Sequence, residues 1–390
     1  MTWHLSLQIA GWLIALAWWS KLIPAVLNVP RIPDLHSLPL DIQPASSPTI
    51  TVIVPAKNEE QSIRATIDSL LKQDYPNLNV IAIDDRSTDT TGILMDELVV
   101  ERPHRLRVLH IKSLPPGWTG KVHAMATAAR ESTSDWLLFT DGDVEFAPNA
   151  IRLSLAMAEQ TDADHLVTVP TMTVKRWDEG MLLGYFQIFS LWAARPWRVA
   201  DPKAKRDTVG IGAFNMVRRS AYQSIGGFDS MSMEVLEDMR LGRDIKLAGF
   251  SSRVVFGRGL VRVHWASGAK GLIHVMTKNL FSAFRFRMSI VLLACLWMTV
   301  FCVGPVVALM FSGVRIPAAA TLAAIGLAYL LYARQSRLSP WYALLYPVAA
   351  VLFIYILLRS MIHTLRDGGV TWRETFYPLA DLRAKAGGLW

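Results

Sequence analysis

The chain has 390 residues, 52% of them hydrophobic, and a formal net charge of +8; its mean hydropathy is +0.29. That is too apolar for an ordinary soluble enzyme, so membrane-spanning segments are expected. The only two cysteines, Cys295 and Cys302, fall together in one apolar run, which excludes a disulfide framework and a cysteine-based zinc site.

In chain order, Leu5 to Leu27 is apolar and long enough to cross a bilayer, which takes ~20 residues. It lacks a basic start and a small-residue cleavage site, so residues 1–30 are expected to be an anchor rather than a removed signal. Residues 31–48 are proline-rich and read as an extended linker. "TITVIV" (Thr49 to Val54) is a β-branched run, a buried strand, stopped by Pro55. "AKNEEQSIRATIDSLLKQ" follows with helical spacing at Ile63, Ile67, Leu70 and Leu71. "NVIAIDD" is a second strand ending on Asp84-Asp85, and "STDTTGILMDELVVE" opens with a helix-start signal. "LRVLHI" is a third strand, "GKVHAMATAARE" a helix and "DWLLFTDGD" a fourth strand. This alternation predicts a parallel sheet with helices on both faces.

Ligands of such sheets bind at the C-terminal ends of the strands. Three polar clusters stand there: Lys57-Asn58-Glu59, Asp84-Asp85 and Asp141-Gly142-Asp143. Alone, the last could be a polar turn or a pair of hard oxygen ligands for a divalent cation. Three clusters at neighbouring strand ends converge, which favours a metal–nucleotide site. No G-x-G-x-x-G follows the first strand. Gly120-Lys121 resembles the end of a P-loop, but Pro115 replaces the first glycine and Val122 the Ser or Thr. Nothing like G-x-S-x-G ends a strand.

Beyond the sheet, "WDEGMLLGYFQIFSLWAARPW" carries Tyr185, Phe186, Phe189 and Trp192 partly at helical spacing, either for packing or for a lipid-facing helix. "HVMTKNLFSAFRFRM" is basic and apolar by turns, and an interfacial amphipathic helix is expected over 271–287. Three apolar runs follow, Met288 to Phe311, Ile316 to Ala333 and Trp341 to Ile362, so about three spans are expected over 288–362, then a basic tail over 363–390. Arg31, Lys270, Lys278, Arg285 and Arg287 place the central domain, 49–270, in the cytoplasm of a multi-pass inner (plasma) membrane protein by the positive-inside rule. Three spans would then put the tail outside, against its Arg359, Arg366, Arg373, Arg383 and Lys385; either one run is re-entrant or lies in the interface, or the rule fails here, and Gly304-Pro305 marks the second run as the one expected to be broken.

Taken together, "IVPAKNEEQSI", "IDDRSTD", "GWTGKVHA", "FTDGDVEF", "GAFNMVRRSAYQSIGGFD" and "LEDMRLGRDIKLAGF" resemble an inverting family 2 glycosyltransferase over roughly Thr49 to Gly249. "SLPPGWTGKVHA" and the flanking spans resemble the membrane-bound bacterial subgroup associated with hopanoid and carotenoid biosynthesis. The resemblance implies an α/β, Rossmann-like GT-A domain flanked by transmembrane helices. It implies that Pro55, Ala56, Asn58 and Glu59 form the loop receiving the nucleotide, that Asp85 contacts the base and that Lys121 faces the nucleotide. Asp141 and Asp143 match the metal-binding D-x-D, for Mn²⁺ or Mg²⁺, with Asp143 the stronger ligand. Asp238 matches the catalytic base. Glu237 beside it would pack against the acceptor loop or raise the pKa of Asp238 by like charge. Arg285 is a candidate contact to the diphosphate.

The expected partners are a nucleotide-sugar donor, a UDP-sugar by family habit, a lipid acceptor (hopanoid, carotenoid, sphingolipid or similar) and the membrane; no nucleic-acid partner is expected. Processive synthases of the family carry Q-x-x-R-W where this chain has Phe284-Arg285-Phe286, which favours transfer of one sugar. The alternatives are a polysaccharide synthase and an inactive membrane scaffold. A scaffold has no use for the uncompensated set Asp85, Asp141, Asp143 and Asp238.

Overall fold

The computed structural model describes residues 2–101 and 104–385. These fall into two compact units: a helical one of residues 1–31, 174–195 and 266–368, and a sheet one of residues 32–173, 196–265 and 369–390. The last five residues of the expected basic tail lie outside the described residues.

The described residues of the sheet unit hold twelve strands: β1 Ile50–Ala56, β2 Leu78–Asp85, β3 Leu106–Ile111, β4 Trp136–Phe139, β5 Val144–Phe146, β6 His165–Val169, β7 Thr171–Met172, β8 Asn215–Arg218, β9 Ser252–Phe256, β10 Val261–Val263, β11 Gly369–Trp372 and β12 Thr375–Pro378. Seven form the main sheet in the order β3-β2-β1-β4-β8-β6-β9. β1 pairs parallel with β2 and β4, as β2 does with β3, which is the parallel half expected from the alternation; β8 runs antiparallel to both β4 and β6. Period-two alternation feeds two cores. Val52, Val54, Val80 and Leu138 face one, while Ile53, Ile81, Ile83 and Phe139 face the other, where Val122 and Met125 cover them. Burial on both faces explains the near-continuous apolar runs. β5, β10 and β7 form a small second sheet, and β11 with β12 a hairpin.

The helix expected straight after Pro55 begins only at Ile63. Residues 57–60 are instead held as a loop by the 87–91 segment. The Asn58 amide donates to Ser87 Oγ, the Glu59 amide to Thr91 Oγ1, and the Thr88 amide to Asn58 Oδ1. Asn58 takes a left-handed φ of 55°, which Asn tolerates better than most residues.

In the helical unit, four helices among the described residues are long and apolar enough to cross a membrane: His4–Arg31, Met288–Ala308, Ser312–Ser336 and Pro340–Asp367. Leu13, Leu16, Leu293, Leu296 and Val351 are among their exposed apolar side chains. The first packs along the third, with Trp19 Nε1 donating to the Ala320 carbonyl at 3.1 Å. The run expected to break at Gly304-Pro305 stays helical. A π-turn, Thr299–Val303, precedes the proline and absorbs its missing N–H. The aromatic stretch forms the helix Trp177–Ala193, and its Tyr185 is buried against Tyr346 and Phe353, so within this unit these rings serve packing. The expected interfacial segment forms the helix Gly268–Ala283, ending in left-handed residues at Arg285 and Phe286.

Candidate functional site

The sheet unit brings Pro55, Ala56, Asp85 and Lys121 together around one cleft. Asp85, at the end of β2, is 4% exposed. Arg86 binds it with two parallel hydrogen bonds of 2.8 and 3.1 Å, a geometry that fixes the carboxylate's plane. Gly120 begins the helix Gly120–Glu131 against this pair, and a Cβ there would lie 2.3 Å from Asp85 Oδ2. Glycine at 120 is thus demanded by close approach rather than by backbone conformation.

Next along the sheet edge stand the carboxylates after β4. Asp143 is pushed up to about 7 by burial, then by the neighbouring negative charges of Asp141 and Glu59. Lys121 Nζ lies 2.6 Å from Asp141 Oδ1 and 2.6 Å from Glu237 Oε1. Burial alone would lower the lysine's pKa, but Asp141 and Glu237 outweigh it and hold the ammonium well above the ordinary lysine range. Lys121 thereby ties the D-x-D segment to the start of the helix Glu237–Leu247.

Asp238 follows in that helix's first turn. Burial, and after it the charge of Glu237, raises Asp238 to about 7. Its position is set from below. The Asn215 side-chain amide donates to the Asp238 carbonyl at 3.2 Å, and Asn215 Oδ1 in turn lies 2.6 Å from the fully buried His165. Burial drives His165 down to about 4, so it stays neutral as part of this support. A Cβ on Gly210 would sit 1.7 Å from the Asp238 carbonyl oxygen, so the "VGIGAFN" loop can press against the helix start only with glycine there. Lys121, Thr140, Asn215, Glu237 and Asp238 line a second, smaller cavity.

Of the residues singled out from sequence, Asp141 and Glu237 are joined directly by Lys121, which shares the cleft with Asp85; Asp143 and Asp238 stand beside these two acids, and Glu59 is paired with Arg373. Arg285 belongs to the helical unit. Sequence reasoning missed Arg86, although it directly follows Asp85. It also missed Asn215 and His165, which carry no motif of their own. Arg373 and Tyr377 escaped it too. Arg373 lies 2.6 Å from Glu59, and Tyr377 Oη accepts the Gly120 amide at 3.0 Å. Among the described residues no three His, Cys, Asp or Glu side chains cluster closely enough to hold a metal by themselves.

The fold is the mixed α/β, Rossmann-like sheet of GT-A glycosyltransferases. Residues 51–226 match the family described as Glycosyl transferase family 2, and this stretch is a family 2 glycosyltransferase domain. Relatives named 4,4'-diaponeurosporenoate glycosyltransferase are similar to the chain. One from Staphylococcus aureus strain USA300 is 24% identical over 342 residues, 85% of this chain and 88% of that protein. One from strain MRSA252 is 26% identical over 196 residues, half the length of each. Among solved structures, a mannosyltransferase from Pyrobaculum calidifontis, determined with GDP-Man and Mn²⁺, superposes with a TM-score of 0.56 at 18% identity, covering 93% of this chain and 99% of that one.

Proposed function

We propose that the protein is a membrane-bound, inverting glycosyltransferase that moves one sugar from a nucleotide-sugar donor, a UDP-sugar, to a hydroxyl or carboxyl group of a lipid at the cytoplasmic face. The observation that carries this reading is the Lys121 bridge. It joins a D-x-D carboxylate, suited to the donor side, with the first turn of the helix bearing Asp238, suited to the acceptor side, in one buried array.

The pair Asp141 and Asp143 fits a hard divalent cation. Both offer oxygen ligands, and the raised Asp143 marks a site short of positive charge. Two carboxylates leave the other positions of an Mn²⁺ or Mg²⁺ ion to water and donor phosphates, as such ions prefer. When bound, the ion supplies neutralisation of the charge that gathers on the departing diphosphate. Asp85, fixed by Arg86, suits a base N–H, and Lys121 adds positive charge beside the D-x-D. Asp238 acts as general base. It accepts the proton of the acceptor hydroxyl as that oxygen attacks the anomeric carbon from the face opposite the diphosphate, so the configuration inverts. A carboxylate held near pH 7 by burial is matched to that task.

The lipid acceptor is supported by the four membrane-length helices and by the carotenoid carboxylate in the relatives' names. The test is donor choice. Purified full-length protein is titrated with UDP-, GDP- and ADP-sugars in Mn²⁺; binding of a UDP-sugar that Asp85→Ala weakens is expected, and indifference to all three would overturn the reading.

A further inference from the structure

β11 and β12 are joined by a two-residue turn, Arg373-Glu374, with Trp372 opposite Thr375. Both turn residues take left-handed conformations, φ 47° and 66°. A two-residue hairpin turn of this kind favours Asn-Gly, Asp-Gly or Gly-Gly, because other residues pay about 1 kcal/mol or more for positive φ. Arg-Glu is a poor choice for the hairpin itself, and strain of this sort gathers where a side chain has another task.

Both side chains reach the first-strand loop: Arg373 to Glu59 at 2.6 Å, Glu374 to the buried Lys57 at 3.9 Å. The same hairpin lines the cleft of Asp85 and Lys121 with Trp372, Arg373, Thr375 and Tyr377. Arg86, Lys121 and Arg373 surround that cleft with cations, while Trp372 and Tyr377 add aromatic surface. This combination of π-faces and guanidinium groups is suited to a nucleoside diphosphate.

We propose that the 369–378 hairpin is the outer wall of the donor pocket, with Arg373 a diphosphate contact and Trp372 and Tyr377 flanking the nucleoside. This rests on the nucleotide-sugar reading above. Glu59 holds the guanidinium in place until the donor phosphates, a stronger partner, take it over. The strained turn is kept because it aims Arg373 into the site.

The test is a double substitution, Arg373→Asn with Glu374→Gly, which gives the turn its preferred residues and so keeps the hairpin folded. Full-length protein in nanodiscs is titrated with UDP, GDP and uridine in Mn²⁺, and amide exchange is followed by mass spectrometry. In the native chain, UDP or GDP should protect residues 369–378 together with 55–60 and 119–123. The double variant should bind that nucleotide about tenfold or more weakly, the loss expected for one charge-assisted contact, with uridine affinity unchanged. Protection of 55–60 and 119–123 without 369–378, or unchanged affinity in the variant, would overturn the proposal while leaving the nucleotide reading intact. No response to any nucleotide in the native chain would overturn both.

Discussion

At the residue scale, two acids near pH 7 have different fates. Asp143 should lose its proton when a divalent cation binds beside it, so chelation abolishes transfer and Mn²⁺ or Mg²⁺ restores it. Asp143→Asn should remain folded and inactive, since the amide keeps the size of the carboxylate and removes a charge that burial disfavours; full activity in excess chelator would refute the metal assignment. Asp238 must be ionised to accept a proton, and its pKa is raised to about 7. At saturating Mn²⁺, which removes Asp143 from the titration, kcat should therefore fall about tenfold per pH unit below this pKa, the slope of a single protonation. Asp238→Asn should lower kcat ~100-fold or more, leave donor affinity unchanged and abolish that acid limb. Normal turnover in this variant would transfer the role to Glu237.

At the element scale, the site depends on glycines that admit close approach. Gly210→Ala would drive a Cβ into the Asp238 carbonyl, 1.7 Å away, and push back the start of the helix Glu237–Leu247. Overpacking of this kind costs about 1–3 kcal/mol. Thermal unfolding should shift down, and kcat should fall more than donor affinity; an unchanged kcat would show that this helix start is not held by the loop. Much of the sheet was legible because β1, β2 and β4 are buried on both faces and so announce themselves as largely apolar runs, with acids at the ends of β2 and β4. The helix expected over 56–73 from the spacing of Ile63, Ile67, Leu70 and Leu71 starts only at Ile63, because the bonds that hold 57–60 as a loop, which the family resemblance implied at Asn58 and Glu59, come from 87–91, across the sheet edge. The hairpin at 369–378 was invisible for two physical reasons. Its turn has no glycine or asparagine, and its partner Glu59 lies 314 residues away, beyond any local pattern.

At the scale of the whole molecule, the described residues of 32–173 and 369–385 share one compact unit, and we expect both on the same side of a membrane. The chain between 266 and 368 must then cross an even number of times, yet it holds three membrane-length helices. One of the three is therefore expected not to cross, which removes the conflict between an odd span count and a basic tail. Single cysteines at Arg64 and Asp367, with Cys295 and Cys302 replaced, should label from the same face. Labelling of 64 and 367 from opposite faces would contradict it.

The central claim is the transfer of one sugar to a lipid through Asp141, Asp143 and Asp238. Its most direct test is to incubate the purified full-length protein in nanodiscs of total bacterial membrane lipid with UDP-sugars and Mn²⁺, and to read the lipids by mass spectrometry. The account predicts a lipid species heavier by a single sugar residue, lost in Asp238→Asn and in excess chelator. A ladder of successive sugar additions, or sugar released with no lipid product, would contradict it.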